Sequence, residues 1–452
     1  MRSLSIAIVL DDKFPSSSGV SRSVQTQIEE LSKIGHNITL IAPRTDLEAP
    51  SNIRIIPVKS IKFPGLPLHT RILCASWKSA KDISRKHSFN IVHSQTDTGA
   101  LLLAAKISKI QNIPHIHTFH TNIAGSHTMI VSTFFASIGF RIYALIIAHI
   151  HKRYLNITHH KASMQLSKES RIGRFDWHTQ AIIARAVNYS TTPSHYMFNY
   201  IREVCANIDL PGAIIPTGYN RTFEAYTKAI KRQRSDNKIR FISISRLVKE
   251  KRLDVIIKAF KQATIPNSEL YIVGDGSEYK RLIHLAENSP NIIFTGHISN
   301  RKEIVQLLRD ADIFVLASYR FDNQPIVIPE SLVVGLPIIY CDDRLDVGLN
   351  NSNSLLVDPS ITGLAEGMTQ IAKPHFHKKL ATGTKSVFSE LSPQATAKSY
   401  IDIYIYIYKQ LVSTTTQIKI KFVIHGNIKG HREIVVNTSF ILGVNIYQCN
   451  SL

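Results

Sequence analysis

The sequence predicts an α/β protein of two doubly wound, Rossmann-like domains facing across a cleft, and three observations carry that expectation. The first forty residues spell a compact βαβ unit, the same grammar restarts at Lys238 and repeats through Cys341, and a polar, strongly charged stretch, Tyr226–Lys238, separates the two. Short apolar runs alternating with helical periods are the pattern of a parallel sheet covered on both faces.

The opening run Leu4–Leu10 reads as a strand, and the loop Pro15-Ser16-Ser17-Ser18-Gly19 leads into a helix. Within that helix Val20, Val24, Ile28, Leu31 and Ile34 recur at intervals of three and four, and Gly35 stops it before a second strand at Ile38–Ala42. Further strands are expected at Asn90–His93 and Pro114–Thr118. In the second half the expected order is strand Arg240–Ile244, helix Leu253–Ala263, strand Leu270–Val273, helix Glu278–Glu287, strand Asn291–Phe294, helix Glu303–Asp310 and strand Ile313–Leu316. Helix Ile326–Val334 and strand Pro337–Cys341 complete it. The segment Gln394–Leu411 is read as a closing helix, although the Ile-Tyr alternation of Ile403 to Tyr408 has a strand period as well. The resulting division is an N-terminal domain over 1–210, a second domain over 211–392, a closing helix over 393–412 returning to the first domain, and an unassigned tail over 413–452.

The chain has 452 residues and 44% hydrophobic content, enough for two ordinary cores. Lys and Arg number 54 against 33 Asp and Glu, a net charge of +21, which points to a polyanionic partner or an anionic surface. Nucleic acid is disfavoured, because the basic residues form neither arms nor a recognised nucleic-acid motif. Cys74, Cys205, Cys341 and Cys449 lie far apart, so neither a zinc site nor a disulfide scaffold is indicated, and a reducing cytoplasm fits. The apolar start runs straight into Asp11 and Asp12 and lacks a small-residue cleavage site, so it reads as a strand rather than a signal peptide.

Met129–Ile150 is apolar except for Ser132, Thr133, Ser137, Arg141 and His149, and His151, Lys152 and Arg153 follow. A spanning helix would not place Arg141 near its middle. The segment reads as a helix at a membrane interface, cationic end toward anionic lipid, with a buried core helix as the alternative. The whole block 125–180 is assigned to membrane or acceptor contact.

Ligands of doubly wound sheets bind outside the carboxyl ends of the strands, so the loops after strands carry the chemistry. In the first such loop the backbone N–H at Gly19 and the helix dipole can meet a phosphate, although a turn needing glycine for geometry reads equally well. In Ser245-Arg246-Leu247-Val248-Lys249-Glu250-Lys251, Arg246 offers a planar fork and Lys251 a mobile point charge, able together to neutralise a diphosphate. Lys249 and Arg252 read as solvated surface charge. Gly274-Asp275-Gly276 is a turn. After Asp322-Asn323-Gln324-Pro325, Pro325 can open a helix and leave the N–H groups of Ile326 and Val327 facing an anion, while Pro329 would delay the start by a turn. Asp322 then lies in the loop and Glu330 up to two turns into the helix.

These residues resemble the family-4 retaining glycosyltransferases of GT-B architecture, whose Arg…Lys pair holds the nucleotide diphosphate and whose Glu-(seven residues)-Glu motif holds sugar and ribose. Arg246 and Lys251 match the pair and Glu330 the second Glu, while Asp322, one methylene shorter, stands where the first Glu is expected. Ser18-Gly19-Val20 resembles the family's Gly-Gly-Val loop and Gly35-His36 its Gly-His turn. Val92-His93-Ser94-Gln95, His115-Ile116-His117-Thr118-Phe119-His120-Thr121, Thr192-Pro193-Ser194 and Ile215-Pro216-Thr217-Gly218 resemble the branch that glycosylates diacylglycerol and related lipids.

The resemblance implies a nucleotide-diphosphate sugar as donor, a UDP-hexose, with no tightly bound cofactor and no metal. It puts His120 beside the transferred sugar, whereas His115 and His117 read as packed or surface residues. His120, Arg246, Lys251 and Asp322 are then the candidate catalytic residues, and Gly19, Ile326, Val327 and Glu330 join the three last in binding the donor. A membrane lipid is the expected acceptor, and the chain is expected to be cytoplasmic and peripheral on the inner face of the cell membrane. Other readings are a soluble or polysaccharide acceptor, a nucleotide-sugar 2-epimerase and a catalytically weak binding protein. A nicotinamide dehydrogenase is disfavoured, because neither half carries the full Gly-x-Gly-x-x-Gly spacing.

Overall fold

A computed structural model describes residues 3–424, apart from residues 17 and 288 and segments 46–52, 63–68, 125–132, 155–168 and 206–208. Met1–Ile407 form one compact unit, which holds everything positioned below; Tyr408–Leu452 form a second.

The first sheet starts with β1 (Ser5–Val9), whose last four residues are buried, as a central parallel strand requires. It leads to α1 (Gly19–Lys33), capped by the Ser18 hydroxyl, which accepts the N–H of Ser21 at 2.9 Å. Val24, Ile28 and Leu31 form the buried stripe, and Gly35 follows at φ +93, a left-handed exit that glycine adopts without strain. Next come β2 (Asn37–Pro43), β3 (Arg54–Val58) and a small antiparallel pair, β4 (Ser60–Ile61) with β5 (Ile72–Leu73). After α2 (Trp77–Lys86) the chain continues through β6 (Ile91–Ser94), α3 (Gly99–Gln111), β7 (His115–Thr118), α4 (Thr133–His151) and α5 (Arg171–Ala186). It closes this half with β8 (Tyr189–Thr192), α6 (His195–Val204) and β9 (Gly212–Ile214). The seven strands pair in parallel in the order β3-β2-β1-β6-β7-β8-β9.

After α7 (Arg221–Ala229) the second sheet repeats the plan. Its elements are β10 (Ile239–Ile244), α8 (Leu253–Ala263), β11 (Ser268–Val273), α9 (Tyr279–Ala286), β12 (Ile292–Gly296), α10 (Arg301–Asp310) and β13 (Ile313–Leu316). Then follow α11 (Val327–Val334), β14 (Ile338–Tyr340), β15 (Ser354–Leu356), α12 (Ile361–Ile371), α13 (Pro374–Gly383) and α14 (Pro393–Ile424). The parallel order is β12-β11-β10-β13-β14-β15. The expected fold class is therefore present. Strand order reverses at β1/β6 and at β10/β13, so each sheet opens a crevice at the carboxyl end of its first strand.

Several expectations are corrected. Tyr226–Ala229 belongs to α7, so only residues 230–238 are irregular, and these are anchored rather than loose: Arg232 and Arg234 both reach Asp312. The closing helix resolves in favour of the helical period, because Ala397, Tyr400, Ile401, Tyr404 and Ile407 are buried together while Tyr406 is 57% exposed. It runs on to Ile424, so the first part of the unassigned tail is helical; the remainder, 425–452, lies outside the described residues.

The apolar segment is helical as α4 from Thr133, its residues 129–132 lying outside the described ones, and it is neither wholly buried nor spanning. Ala144, Ile147 and Ala148 join the core with Trp177 and Ala181 of α5, whereas Phe135, Ile142, Leu145 and Ile146 are exposed, Phe135 by 79%. Arg141 is not a charge facing lipid, since its Nε donates to the Thr179 hydroxyl at 2.8 Å and its Nη2 to the Phe175 carbonyl at 2.8 Å. Of the cationic end, Lys152 is exposed and Arg153 donates to the Val187 carbonyl at 3.0 Å. Among the described residues no helix is long and apolar enough to cross a membrane.

Candidate active site

One large cavity, about 1510 Å³, opens where the carboxyl ends of the two sheets meet. Gly19, His120, Arg246, Lys251, Asp322, Ile326, Val327 and Glu330 all line it, so the residues singled out from the sequence come together at one place.

The Arg246 loop leaves β10, turns through a short 3-10 stretch at Lys249–Lys251 and enters α8 through Arg252 at φ 51. It is laid directly on the Gly-Asp-Gly turn: Leu247 N donates to the Asp275 carbonyl at 2.9 Å, and the Leu247 carbonyl accepts from Glu278 N at 2.9 Å. Only glycine fits there, because a Cβ on Gly276 would stand 2.3 Å from the Leu247 carbonyl oxygen. The Arg246 guanidinium is half exposed and reaches Glu250 only at 3.7 Å. Lys251 is committed, its Nζ lying 2.6 Å from Asp322 Oδ1. Arg252 is not solvated surface charge as expected: its Nη1 donates to the Ala317 carbonyl at 3.2 Å and its Nη2 to the Pro359 carbonyl at 2.5 Å, tying three loops together.

The Asp322 loop is clamped onto the other half by its own amides. Asn323 Nδ2 donates to the Phe119 carbonyl at 2.9 Å while its Oδ1 accepts from the Ser194 hydroxyl. Gln324 Oε1 accepts from Thr217 N at 2.7 Å and its Nε2 donates to the Thr217 carbonyl at 3.2 Å. Because Asn323 grips the residue before His120, Asp322 and His120 are held on the same stretch of wall. Asp322 Oδ2 is buried with no hydrogen-bond partner among the described residues.

Val327 begins α11, so Pro329 falls in the first turn, where its missing N–H costs nothing, and the start is not delayed by a turn. Glu330 accordingly sits in the first turn, within the two turns expected. It is buried and accepts from Arg301 Nη2 at 2.6 Å, with Arg22 Nη1 at 3.6 Å. Burial lowers the Arg22 pKa, Glu330 opposes that and Arg301 adds to it. Both arginines were missed from the sequence, although the signals exist: Arg22 is three residues beyond Gly19 on α1, and Arg301 opens the helix after β12.

His120 Nε2 lies 2.8 Å from Gln95 Oε1, and burial, helped by His117, lowers its pKa to about 3, so the ring is neutral near pH 7. His115 and His117 are wholly buried, His117 Nε2 against Asp97 Oδ1 at 3.0 Å, in keeping with the packed alternative expected for them. Asp11, at the end of β1, is a second unforeseen feature. It accepts from Leu73 N, Ala100 N and the hydroxyls of Thr96 and Thr98, and burial still raises its pKa.

Two doubly wound halves facing each other at the carboxyl ends of their strands are the GT-B architecture. Residues 17–223 match the model described as Glycosyltransferase Family 4 and residues 226–386 the one described as Glycosyl transferases group 1; the chain belongs to this family of hexosyltransferases. It is 26% identical over 432 residues to an alpha-monoglucosyldiacylglycerol synthase of Acholeplasma laidlawii, covering 85% of this chain and 97% of that one. Among solved structures it superposes on a sucrose-phosphate synthase from Thermosynechococcus elongatus with a TM-score of 0.67 at 17% identity, covering 90% of this chain and 100% of that one. It also superposes on HepE of Anabaena, solved with UDP and glucose, at 0.58 and 13%, covering 91% and 99%.

Proposed function

We propose that the protein is a retaining glycosyltransferase that moves a hexose from a UDP-hexose to the hydroxyl of a membrane lipid such as diacylglycerol, working as a peripheral protein on the inner face of the membrane. The observation that carries this reading is the mixed character of one cavity. Its lining includes Arg246, Lys251, Gly19 and Ile326, and also an apolar group, Leu102, Phe140 and Tyr143. Phe140 and Tyr143 belong to α4, whose outer stripe of Phe135, Ile142, Leu145 and Ile146 is exposed. A lipid-docked α4 would open the acceptor end of the cavity toward the bilayer. The diacylglycerol named in the Acholeplasma relative and the UDP bound by the HepE structure support the same acceptor and donor.

In this reading the diphosphate leaves from one face of the sugar and the acceptor hydroxyl attacks from that face as an oxocarbenium-like centre develops. Arg246 and Lys251 take up the leaving charge together with the Gly19 and Ile326 amides, Glu330 holds the ribose, and Asp322 and His120 hold sugar hydroxyls. Lys251 exchanges its bond to Asp322 for the phosphate, which releases Asp322 to the sugar.

The test incubates the full chain with labelled sugar nucleotides and vesicles of diacylglycerol and anionic lipid, then identifies the product. An α-linked hexosyl lipid is expected, and Arg246→Ala should lower its rate by about a hundredfold, the scale of losing one charge-stabilising donor. Labelling of soluble sugars alone would remove the lipid acceptor, and near-normal turnover of Arg246→Ala would remove the mechanism.

A further inference from the structure

His120 stands at the cavity end of an unbroken line of hydrogen bonds that passes through the first half to the closing helix. His120 Nε2 meets Gln95 Oε1 at 2.8 Å, Gln95 Nε2 meets Gln27 Oε1 at 2.9 Å, and Gln27 Nε2 meets the Tyr404 hydroxyl at 2.9 Å. The Tyr404 hydroxyl then meets His93 Nδ1 at 2.7 Å, and His93 Nε2 meets the Thr118 hydroxyl at 2.7 Å. Gln27, Gln95, His93, Thr118 and Tyr404 are all buried, so water does not compete for these bonds.

With Gln95 Nε2 turned to Gln27 Oε1 and Gln27 Nε2 turned to the Tyr404 hydroxyl, the whole line takes one direction. An amide nitrogen only donates and an amide oxygen only accepts, so Gln95, donating to Gln27, has its oxygen left for a proton from His120. Tyr404 accepts from Gln27 and spends its own proton on His93 Nδ1. Burial, and then the neighbouring His117 and His120, keeps His93 neutral, so its single proton is on Nε2 and goes to Thr118. Five bonds therefore point the same way, inward from the cavity, each polarising the next. His120, also neutral, has its one proton committed to Gln95, and its Nδ1 has no protein partner among the described residues.

We propose that Gln95, Gln27 and Tyr404 are positioning residues that hold His120 as its Nε2–H tautomer and present the bare Nδ1 lone pair to the cavity. Resting on the glycosyl-transfer reading, this makes His120 a hydrogen-bond acceptor at that site. It receives a hydroxyl of the sugar or of the acceptor lipid, and it disfavours any oxyanion placed opposite. The closing helix thereby takes part in the site through Tyr404, three hydrogen bonds away from His120.

The experiment is histidine-labelled nuclear magnetic resonance on the full chain, with the His120 ring assigned by its disappearance in His120→Gln. The wild type should show a protonated Nε2 and an unprotonated Nδ1 on His120. Gln95→Glu, which keeps an acceptor opposite Nε2, should keep that nitrogen protonated, and Tyr404→Phe, which cuts the line while keeping the ring, should admit the Nδ1–H form. Turnover of Tyr404→Phe should fall about tenfold, the scale of one misdirected hydrogen bond, with KM for the sugar nucleotide little changed. A protonated Nδ1 in the wild type, or a His120 tautomer indifferent to Tyr404→Phe, overturns the proposal. The tautomer readout needs no substrate, so it stands or falls separately from the transfer reaction itself.

Discussion

Replacing Gly276 with alanine tests whether the Gly-Asp-Gly turn is the support that aims the diphosphate loop. The added Cβ would lie 2.3 Å from the Leu247 carbonyl oxygen, 2.7 Å from its carbon and 2.8 Å from its nitrogen. Real Cβ atoms keep at least 3.0 Å, so the carbonyl oxygen alone must retreat by about 0.7 Å, and all three atoms are backbone with no rotamer to escape into. Leu247 is wholly buried, and its N–H and carbonyl are both bonded to the turn that would push it, so the loop cannot move without losing those bonds. Arg246 is the adjacent residue and Lys251 follows four further on. A displacement on the order of 1 Å in a charge-stabilising group costs about a hundredfold in rate, and overpacking of this kind costs ~1–3 kcal/mol in stability. The assay is kcat/KM for hexosyl transfer alongside the urea unfolding midpoint of the same preparation. Activity within threefold or so of wild type, with an unchanged midpoint, would refute the view that backbone contact between the two loops sets the position of Arg246.

Acid should destabilise the fold from a definite point. His93 and His115 are wholly buried and burial drives both pKa values well below 6.5, so near pH 7 they are neutral folded and unfolded alike; below 6.5 the unfolded chain takes up protons that the folded one refuses. Each contributes a loss of up to about 1.4 kcal/mol per pH unit as pH falls below 6.5, and a urea midpoint that stays flat from neutral pH down to 5 or so would contradict it. On α4, exchanging Phe135 and Ile142 for serine removes two exposed apolar side chains. Binding to anionic vesicles should weaken by at least tenfold, about 1.4 kcal/mol, with thermal stability retained, and vesicle binding equal to wild type would separate this face from the membrane.

How much of this was legible in the sequence depended on whether the deciding partner was local. Strand and helix periods placed Ile313–Leu316 and Leu253–Ala263 to the residue, and the rule that loops after strands carry ligands found Arg246, Lys251 and Glu330 in one cavity. Distant partners defeated it elsewhere. Arg252 looks like a surface cation until the carbonyls of Ala317 and Pro359 are brought to it, and Arg141 looks like a charge in an apolar helix until α5 supplies Thr179 and Phe175. The Ile-Tyr alternation near the end of the chain suits strand and helix equally, and the decision is made by Gln27 and His93, more than three hundred residues away, which want Tyr404 on one helical face. Glu330 was read as a ligand group alone because nothing in its neighbourhood announces Arg301 or Arg22.

The large positive charge of the chain also takes on a different meaning once the site is seen. Lys and Arg exceed Asp and Glu by 21 in the sequence, and a phosphate-binding enzyme invites the inference that its cleft holds that excess. Yet among the described residues five Lys and Arg line the cavity against eight Asp and Glu. Several of those charges are tied to one another, Lys251 to Asp322 and Arg301 to Glu330, so in the proposed reading a diphosphate would be held by the placing of a few cations and helix amides and not by bulk field. Among the described residues the lining of the cleft does not hold the basic excess. Charge spread over an exterior surface attracts an extended polyanion or a sheet of anionic headgroups, and screening by salt acts on that attraction far more than on the pairs inside the cavity. Together with the exposed apolar stripe of α4, this favours a membrane surface as the partner that the composition first suggested.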